Sequence, residues 1–304
     1  MLSGVGGLYK VLTDDGRTLS CSARGSLRFA KISPYPGDTV TVTEEDNGRN
    51  AIESILPRKN FFGKPPAANI DKLFITVAAA SPAPSYITID KLICAAEYYG
   101  TRSVIVVTKC ELDPQKADEI KEVYEKSGYS VFLTSSAEGI GIEALKNFIA
   151  GEIKGCTAVF AGESGVGKSS VMNALFPSLS LTTGAVSRKI SRGKHTTRAV
   201  TLYPISEDIN AEGAFLADTP GFGIFDLATI DTLTKDDISA LFPEFQPYIS
   251  ECRYRKCTHL REEGCAVIEA LEAAKIPKQR HESYVTVYEE IKKLRPWQTS
   301  KAKK

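Results

Sequence analysis

The sequence has no long hydrophobic run. Its cleanest apolar stretch, residues 73–80, falls far short of the roughly 20 residues that a bilayer-spanning helix needs. Met1–Lys10 carries no basic segment leading into a long apolar one, so no secretory leader is expected and the cytoplasm is the expected compartment. A disulfide framework is missing too. Cys21, Cys94, Cys110 and Cys156 are scattered and read as small buried hydrophobes, while Cys252, Cys257 and Cys265 crowd together. Internal repeats and long low-complexity segments are lacking, apart from the short basic tail Lys301–Lys304. Net charge is only +1, so no overall excess of one sign points to a partner.

What is present is the mix of a globular chain, 42% hydrophobic and 25% charged over 304 residues, enough for two or three domains. The charge is unevenly placed. Ser187–Arg198 holds Arg188, Lys189, Arg192, Lys194 and Arg198 with no acid, and Cys252 to the end has thirteen Lys/Arg against seven Asp/Glu. Either run alone suits a solvated face. Together they favour a polyanionic partner.

Residues 1–67 alternate short β-like runs (Gly7–Leu12, Thr18–Ala23, Asp38–Thr43, Ala51–Leu56) with turn residues, which predicts an N-terminal all-β OB-fold barrel. Arg24, Arg28, Lys31, Arg58 and Lys59 are its candidate phosphate contacts, or ordinary surface charges. Across 68–228, apolar strands alternate with helical stretches, the signature of a parallel α/β sheet. Beyond about Phe225 the β signal stops. Residues 229–304 predict a mainly helical domain, with helices at Ala228–Phe242, Val267–Lys275 and Glu282–Leu294.

Gly162-Glu163-Ser164-Gly165-Val166-Gly167-Lys168-Ser169 fits G-x-x-x-x-G-K-[ST], between the strand Thr157–Ala161 and a helix that begins near Gly167 and includes Ser170. Glycines let backbone N–H groups converge on phosphate oxygens, and the helix N-terminus adds its partial positive charge. Lys168 is placed to meet the β- and γ-phosphates, and Ser169 to ligate Mg²⁺. Asp218-Thr219-Pro220-Gly221 closes a second apolar strand. There Asp218 is expected on Mg²⁺ and the Gly221 N–H on the γ-phosphate. His195-Thr196-Thr197 lies between the two motifs, where a switch threonine, Thr196 or Thr197, is expected to ligate Mg²⁺.

Thr108-Lys109-Cys110-Glu111 resembles the N-K-x-D motif that reads guanine. Glu111 keeps a pair of acceptors on a longer stem, while Thr108 lacks the amide that would bind the base edge and brace the P-loop. Ser135-Ser136-Ala137, after the next strand, fits an S-A-x element whose backbone meets guanine O6, so Ser136 and Ala137 join the candidate site. Both base elements precede the P-loop, which makes the chain a circular permutation of the usual GTPase sheet. The segment after Gly221 then runs into the C-terminal module instead of returning to the sheet. Since that sheet is complete by about residue 228, the nucleotide site is expected to stand without the module.

Cys252-x4-Cys257-x-His259-x5-Cys265 supplies three thiols and an imidazole, the ligand set of a closed structural Zn²⁺ site.

These motifs together resemble the ribosome small subunit-dependent GTPase A family, circularly permuted GTPases of bacterial ribosome assembly. The resemblance also takes in Leu56-Pro57-Arg58-Lys59-Asn60 and Gly193-Lys194 before His195, and runs over nearly the whole chain. It implies slow intrinsic GTP hydrolysis stimulated by the small ribosomal subunit, a late role in that subunit's maturation, and rRNA contacts from the outer domains. The expected partners are the small subunit with its rRNA and GTP/GDP, with no membrane and the chain as a monomer. Phe222 stands where many GTPases carry a water-orienting glutamine, and His195 is the candidate to take over that task. The rival readings are an RNA-binding assembly module with incidental nucleotide turnover, and an ATP-using P-loop enzyme.

Overall fold

The computed structural model describes residues 1–44, 49–63, 65–179, 200–205, 208, 211–218, 225–230 and 232–294. Its main feature is one eleven-stranded sheet, ordered β10-β9-β8-β11-β13-β12-β1-β2-β3-β5-β4. The central part holds β8 (Lys72–Ala78), β9 (Arg102–Thr108), β10 (Ser130–Leu133), β11 (Thr157–Ala161) and β13 (Phe215–Asp218), all parallel. β8 and β11 are buried at every position, as strands covered on both faces must be. The parallel run ends at β12 (Thr201–Pro204), which is antiparallel to β13.

Helices cover both faces. α2 (Tyr86–Tyr98) is capped by Ser85, whose Oγ accepts from Thr88 N. α3 (Pro114–Lys126) has Asp113 as N-cap and Pro114 in its first turn, where the missing N–H costs nothing. α4 (Ile142–Glu152) and α5 (Lys168–Leu175) face the opposite side, where Leu145, Ile149, Val171 and Leu175 pack on Phe74, Val106 and Phe160.

The N-terminal module is built from β1 (Ser3–Val5), β2 (Leu8–Leu12), β3 (Thr18–Ala23), the short α1 (Gly25–Phe29), β4 (Val40–Thr43) and β5 (Asn50–Ile55). These strands form the partly open five-stranded arrangement of an OB-like domain around Val11, Cys21, Ala23, Leu27 and Ile52. Sequence patterning did not anticipate β1 or β12, and these two join the module to the central sheet. Ser3 pairs with Thr201, and Leu202 N donates to Leu2 O at 2.8 Å. A hairpin of β6 (Phe61–Gly63) and β7 (Pro66–Ala68) follows, also unforeseen, and Phe62 and Ala67 join the core around Leu73 and Ile75.

The C-terminal module differs from expectation in one element and in its attachment. Residues 228–242 are not a single helix. A 3-10 turn at Leu227–Thr229, capped by Asp226, is followed by another at Lys235–Leu241, which starts where Asp237 accepts from Thr234 N and Oγ1. The side-chain acceptors of Asp226 and Asp237 each begin a new turn, which breaks the run. The helices Ala266–Glu272 and Lys278–Lys292 then follow. Phe242, Phe245, Val267, Tyr284 and Val287 share one continuous core with Leu73, Ile75, Ile89, Leu92 and Ile93. The sheet is complete without the module; its hydrophobic core is not.

Candidate nucleotide site and metal centre

All five parallel strands end on one edge of the sheet, the edge where open α/β sheets bind ligands. From that edge leave Gly162–Ser169 after β11, Thr108–Glu111 after β9, Ser135–Ala137 beyond β10, and Asp218 at the end of β13.

β11 delivers the phosphate loop at the sheet centre. Gly162 has φ of +139°, and a Cβ there would sit 2.2 Å from Thr76 O, so only glycine allows the loop to cross β8 this closely. Lys168 opens α5, and its Nζ donates to the carbonyls of Gly162 and Glu163, both at 2.6 Å. The ammonium therefore lies across the loop. Glu163 is turned away from the loop, where its carboxylate accepts from Thr88 Oγ1 of α2 at 3.0 Å. Ser164 and Gly165 are exposed, Val166 is buried as the anchor of the loop, and Ser169 and Ser170 lie in the first turn of α5.

The base elements are brought beside this loop. Without the amide of the usual motif, Thr108 is expected to leave the P-loop unbraced. The structure corrects this, because Thr108 Oγ1 reaches Val166 O and also lies 3.2 Å from Val77 O. A hydroxyl close to the loop replaces the longer amide. Lys109, at φ +54°, bridges Gly165 O at 2.9 Å and Ser81 O, so its stem lies over the phosphate-loop flank. Cys110 is buried and its N–H donates to Thr134 O at 3.3 Å, tying the two base loops together. Glu111 Oε2 is buried with no hydrogen-bond partner among the described residues, an acceptor that a base N–H donor would satisfy. Asp113 caps α3, its Oδ1 accepting from Lys116 N at 3.0 Å, and so fixes where the helix after this loop begins.

The second base loop is held from below. Ser135 is buried, and its N–H donates to Ile140 O at 2.9 Å while its Oγ accepts from Glu138 N. Gly141, at φ +69°, approaches Leu133 so closely that a Cβ would meet its carbonyl oxygen at 1.9 Å. Ser136 and Ala137 stand exposed at the tip. β13 sets the Asp218 backbone on the strand next to the phosphate loop, with Ala217 in register with Val159. The Asp218 side chain and residues His195, Thr196, Thr197 and Gly221 lie outside the described residues.

The second centre is in the C-terminal module. One ligand atom from each of Cys252, Cys257, His259 and Cys265 lies within 4.8 Å of the others. Cys252 Sγ is 3.9 Å from Cys265 Sγ, and His259 Nδ1 lies 3.6 and 3.5 Å from these sulfurs. A tetrahedral centre with metal–sulfur bonds of about 2.3 Å has edges of about 3.8 Å, so the set fits a Zn²⁺-sized ion; a disulfide needs sulfurs about 2 Å apart. Glu262 organises the ligand loop, accepting from Thr258 N at 2.6 Å, Leu260 N at 3.0 Å and Arg261 N at 3.1 Å. Burial pushes its carboxyl up, but these donors and the Thr258 hydroxyl outweigh that and hold it at about 2. His281 Nε2 is 2.8 Å from His259 O, and Tyr284 donates to Thr258 O at 2.6 Å, so the C-terminal helix grips the loop through its backbone.

That helix also grips the nucleotide domain, through Arg280, which no motif had flagged. Its guanidinium, fully buried, meets Asp90 of α2 at 2.6 Å and Glu244 at 2.5 Å, and lies over the Phe242 ring at 4.7 Å. Burial works against its charge, and Asp90 and Glu244 outweigh it, holding the group above its ordinary value. The sequence signal was one basic residue among several in an amphipathic helix, with Lys278 two positions away, and it does not stand out.

The base loops precede the phosphate loop in the chain yet adjoin it in space, and this defines a circularly permuted P-loop GTPase. The family model described as RsgA GTPase matches residues 55–228, and that of the RsgA N-terminal domain matches residues 1–52. The chain belongs to the RsgA GTPase family. The small ribosomal subunit biogenesis GTPase RsgA of Ruminiclostridium cellulolyticum is 39% identical, over 97% of this chain and 93% of its own length. The protein of the same name from Moorella thermoacetica is 38% identical, covering 96% of each. The crystal structure of YjeQ from Thermotoga maritima superposes with a TM-score of 0.81 at 31% identity, covering 97% of this chain and 98% of that one. That of YloQ, a circularly permuted GTPase, gives 0.77 at 30% identity, covering 97% and 94%.

Proposed function

We propose that the chain binds the small ribosomal subunit and hydrolyses GTP late in that subunit's maturation, as a cytoplasmic monomer. One observation carries the reading most directly: the base loops, the phosphate loop and Asp218 converge on one sheet edge in permuted order, in a chain similar end to end to small-subunit biogenesis GTPases.

In this reading Gly162–Ser170 cradles the phosphates, and Lys168 exchanges its loop carbonyls for β- and γ-phosphate oxygens. Thr108, Lys109, Cys110 and Glu111, with Ser136 and Ala137, receive the guanine, and Glu111 Oε2 takes one of its N–H donors. Ser169, Asp218 and Thr196 or Thr197 would hold Mg²⁺, a set of hard oxygen donors suited to that ion. Bound there, Mg²⁺ would neutralise phosphate charge. The Gly221 N–H meets the γ-phosphate. His195 orients the attacking water in place of the missing glutamine. Cys252, Cys257, His259 and Cys265 would hold structural Zn²⁺, which would brace the C-terminal module and take no part in the chemistry. The modules are residues 1–67, 68–228 and 229–304.

The test is GTP turnover with and without purified small ribosomal subunits. Turnover is expected to be slow alone and strongly stimulated by subunits, absent in Lys168→Ala, and reduced by about 10²–10⁴-fold in His195→Ala at saturating subunit. Unstimulated turnover with intact subunit binding would leave an RNA-binding module with incidental hydrolysis. Preference for ATP would overturn the base assignment.

A further inference from the structure

Five N-terminal cations read as candidate phosphate contacts, and the structure divides them. Arg58 is committed to Asp38 at 2.7 Å and to Ser33 O at 2.9 Å, and lies over the Tyr35 and Phe61 rings. Lys59 pairs with Asp71 at 2.9 Å, and Arg24 with Glu53. Arg28 and Lys31 are exposed and have no acidic partner among the described residues. Between them stands Phe29, 92% exposed, more than any other large apolar side chain among the described residues.

This is a built turn and not a loose tail. Leu27 is buried in the N-terminal core. The helix is closed by Ala30 N donating to Ser26 O at 2.9 Å and Ile32 N donating to Leu27 O at 2.9 Å, a reversal that needs the left-handed φ of +55° at Lys31. The closure fixes Phe29 outward, next to Ile32, which is also half-exposed. No acidic residue occurs from Arg24 to Tyr35. A folded domain rarely fixes a bare phenyl ring in water, since burying one is worth about 1.5–3 kcal/mol. A second copy of the same surface would set Arg28 and Lys31 against themselves. A polyanion whose units carry flat π-faces satisfies both features at once.

We propose that Phe29 is a stacking platform for an unpaired base of single-stranded RNA, with Arg28 and Lys31 on the flanking phosphates. That the strand is RNA rests on the ribosomal reading above; the stacking itself rests on the turn.

The experiment titrates the full-length, zinc-loaded chain with a labelled single-stranded oligouridylate and, separately, with small ribosomal subunits. Phe29→Ala should weaken oligouridylate binding by about 5–150-fold, the range for loss of one stacked base. Phe29→Leu should behave like Phe29→Ala. Phe29→Trp, in a Trp297→Phe background, should retain binding and show quenched emission on saturation. Arg28→Gln with Lys31→Gln should lower the salt slope by about 1.4, for two phosphates of a single strand. Unchanged basal GTP turnover and melting temperature in each variant verify the fold. Wild-type-like oligouridylate binding by Phe29→Ala, or full retention by Phe29→Leu, would overturn the proposal, the latter because an aliphatic side chain has no π-face on which a base could stack. If subunits fail to stimulate the wild type while the oligouridylate results hold, the ribosomal reading falls and the platform stands.

Discussion

The N-terminal strands reach the nucleotide domain along one sheet edge, whereas the C-terminal helices are fused into its core. At the first junction β1 extends the sheet through β12, and Asn69 Nδ2 donates to Gly37 O at 2.8 Å beside it. The module keeps a separate small core around Val11, Cys21 and Ile52. At the second junction Phe242, Phe245 and Tyr284 pack in one cluster with Ile89, Leu92 and Ile93 of α2, and Arg280 is sealed among Asp90, Glu244 and Phe242. Backbone pairing at an edge can be lost locally, with water replacing each hydrogen bond at small net cost. A shared core with a buried charge cannot open in part, because opening leaves an ion unpaired. The N-terminal module thus keeps a core of its own, and the C-terminal module shares the core of the GTPase.

Zinc removal tests this contrast most severely. Structural zinc contributes on the order of 10–16 kcal/mol of apparent binding free energy, comparable to a whole domain's stability. Stripping the metal, or Cys257→Ser, should unfold the C-terminal module and lower GTP affinity as well, because α2 loses its cover while Thr88 still ties it to Glu163 of the phosphate loop. Calorimetry and nucleotide titration would read this. Unchanged GTP affinity in zinc-free protein would show the nucleotide site to be independent of the module, as the completed sheet first suggested.

Arg280→Ala comes next. It should cost about 3–5 kcal/mol by leaving Asp90 and Glu244 buried without their counter-ion. One cooperative transition should move, with the nucleotide domain and zinc module melting together. Two separated transitions would contradict the shared core.

Arg58→Ala probes the other junction. Asp38 is buried and loses a bidentate partner, but Arg58 is itself partly exposed, so about 1–3 kcal/mol is expected. The loss should fall on the N-terminal module and leave GTP affinity within about twofold, since Arg58 contacts nothing on the nucleotide edge. A tenfold loss of GTP affinity would make the N-terminal module as integral as the C-terminal one. The smallest effect belongs to Lys91→Ala, which removes a partly exposed pair with Glu290 between α2 and the C-terminal helix and should cost under about 1 kcal/mol. A larger value, read by chemical denaturation, would move the weight of the junction from Arg280 to its surface.

Strands with strong local patterns were legible in sequence, and β3 and β11 fall at Thr18–Ala23 and Thr157–Ala161 as read. Their apolar spacing is a local property that needs no partner to be seen. β1 and β12 were not legible, because strands of three and four residues carry too little pattern, and the Ser3–Thr201 pair that joins them spans nearly two hundred positions. The predicted helix over Ala228–Phe242 failed for a local reason: apolar periodicity does not register the capping by Asp226 and Asp237 that restarts the turn.

The nucleotide motifs and the metal ligand set follow from sequence alone, because each needs particular residue types at short, fixed spacing: glycines where the backbone must approach phosphate, thiols and an imidazole where a soft cation is to be held. So does the permutation, which is only the order of those motifs. Tertiary structure alone decided the rest. It placed the Thr108 hydroxyl against Val166, left one oxygen of Glu111 buried without a partner among the described residues, and buried Arg280 while exposing Phe29. Burial and hydrogen-bond partnership belong to pairs of residues far apart in the chain, and they exist only once the chain is packed.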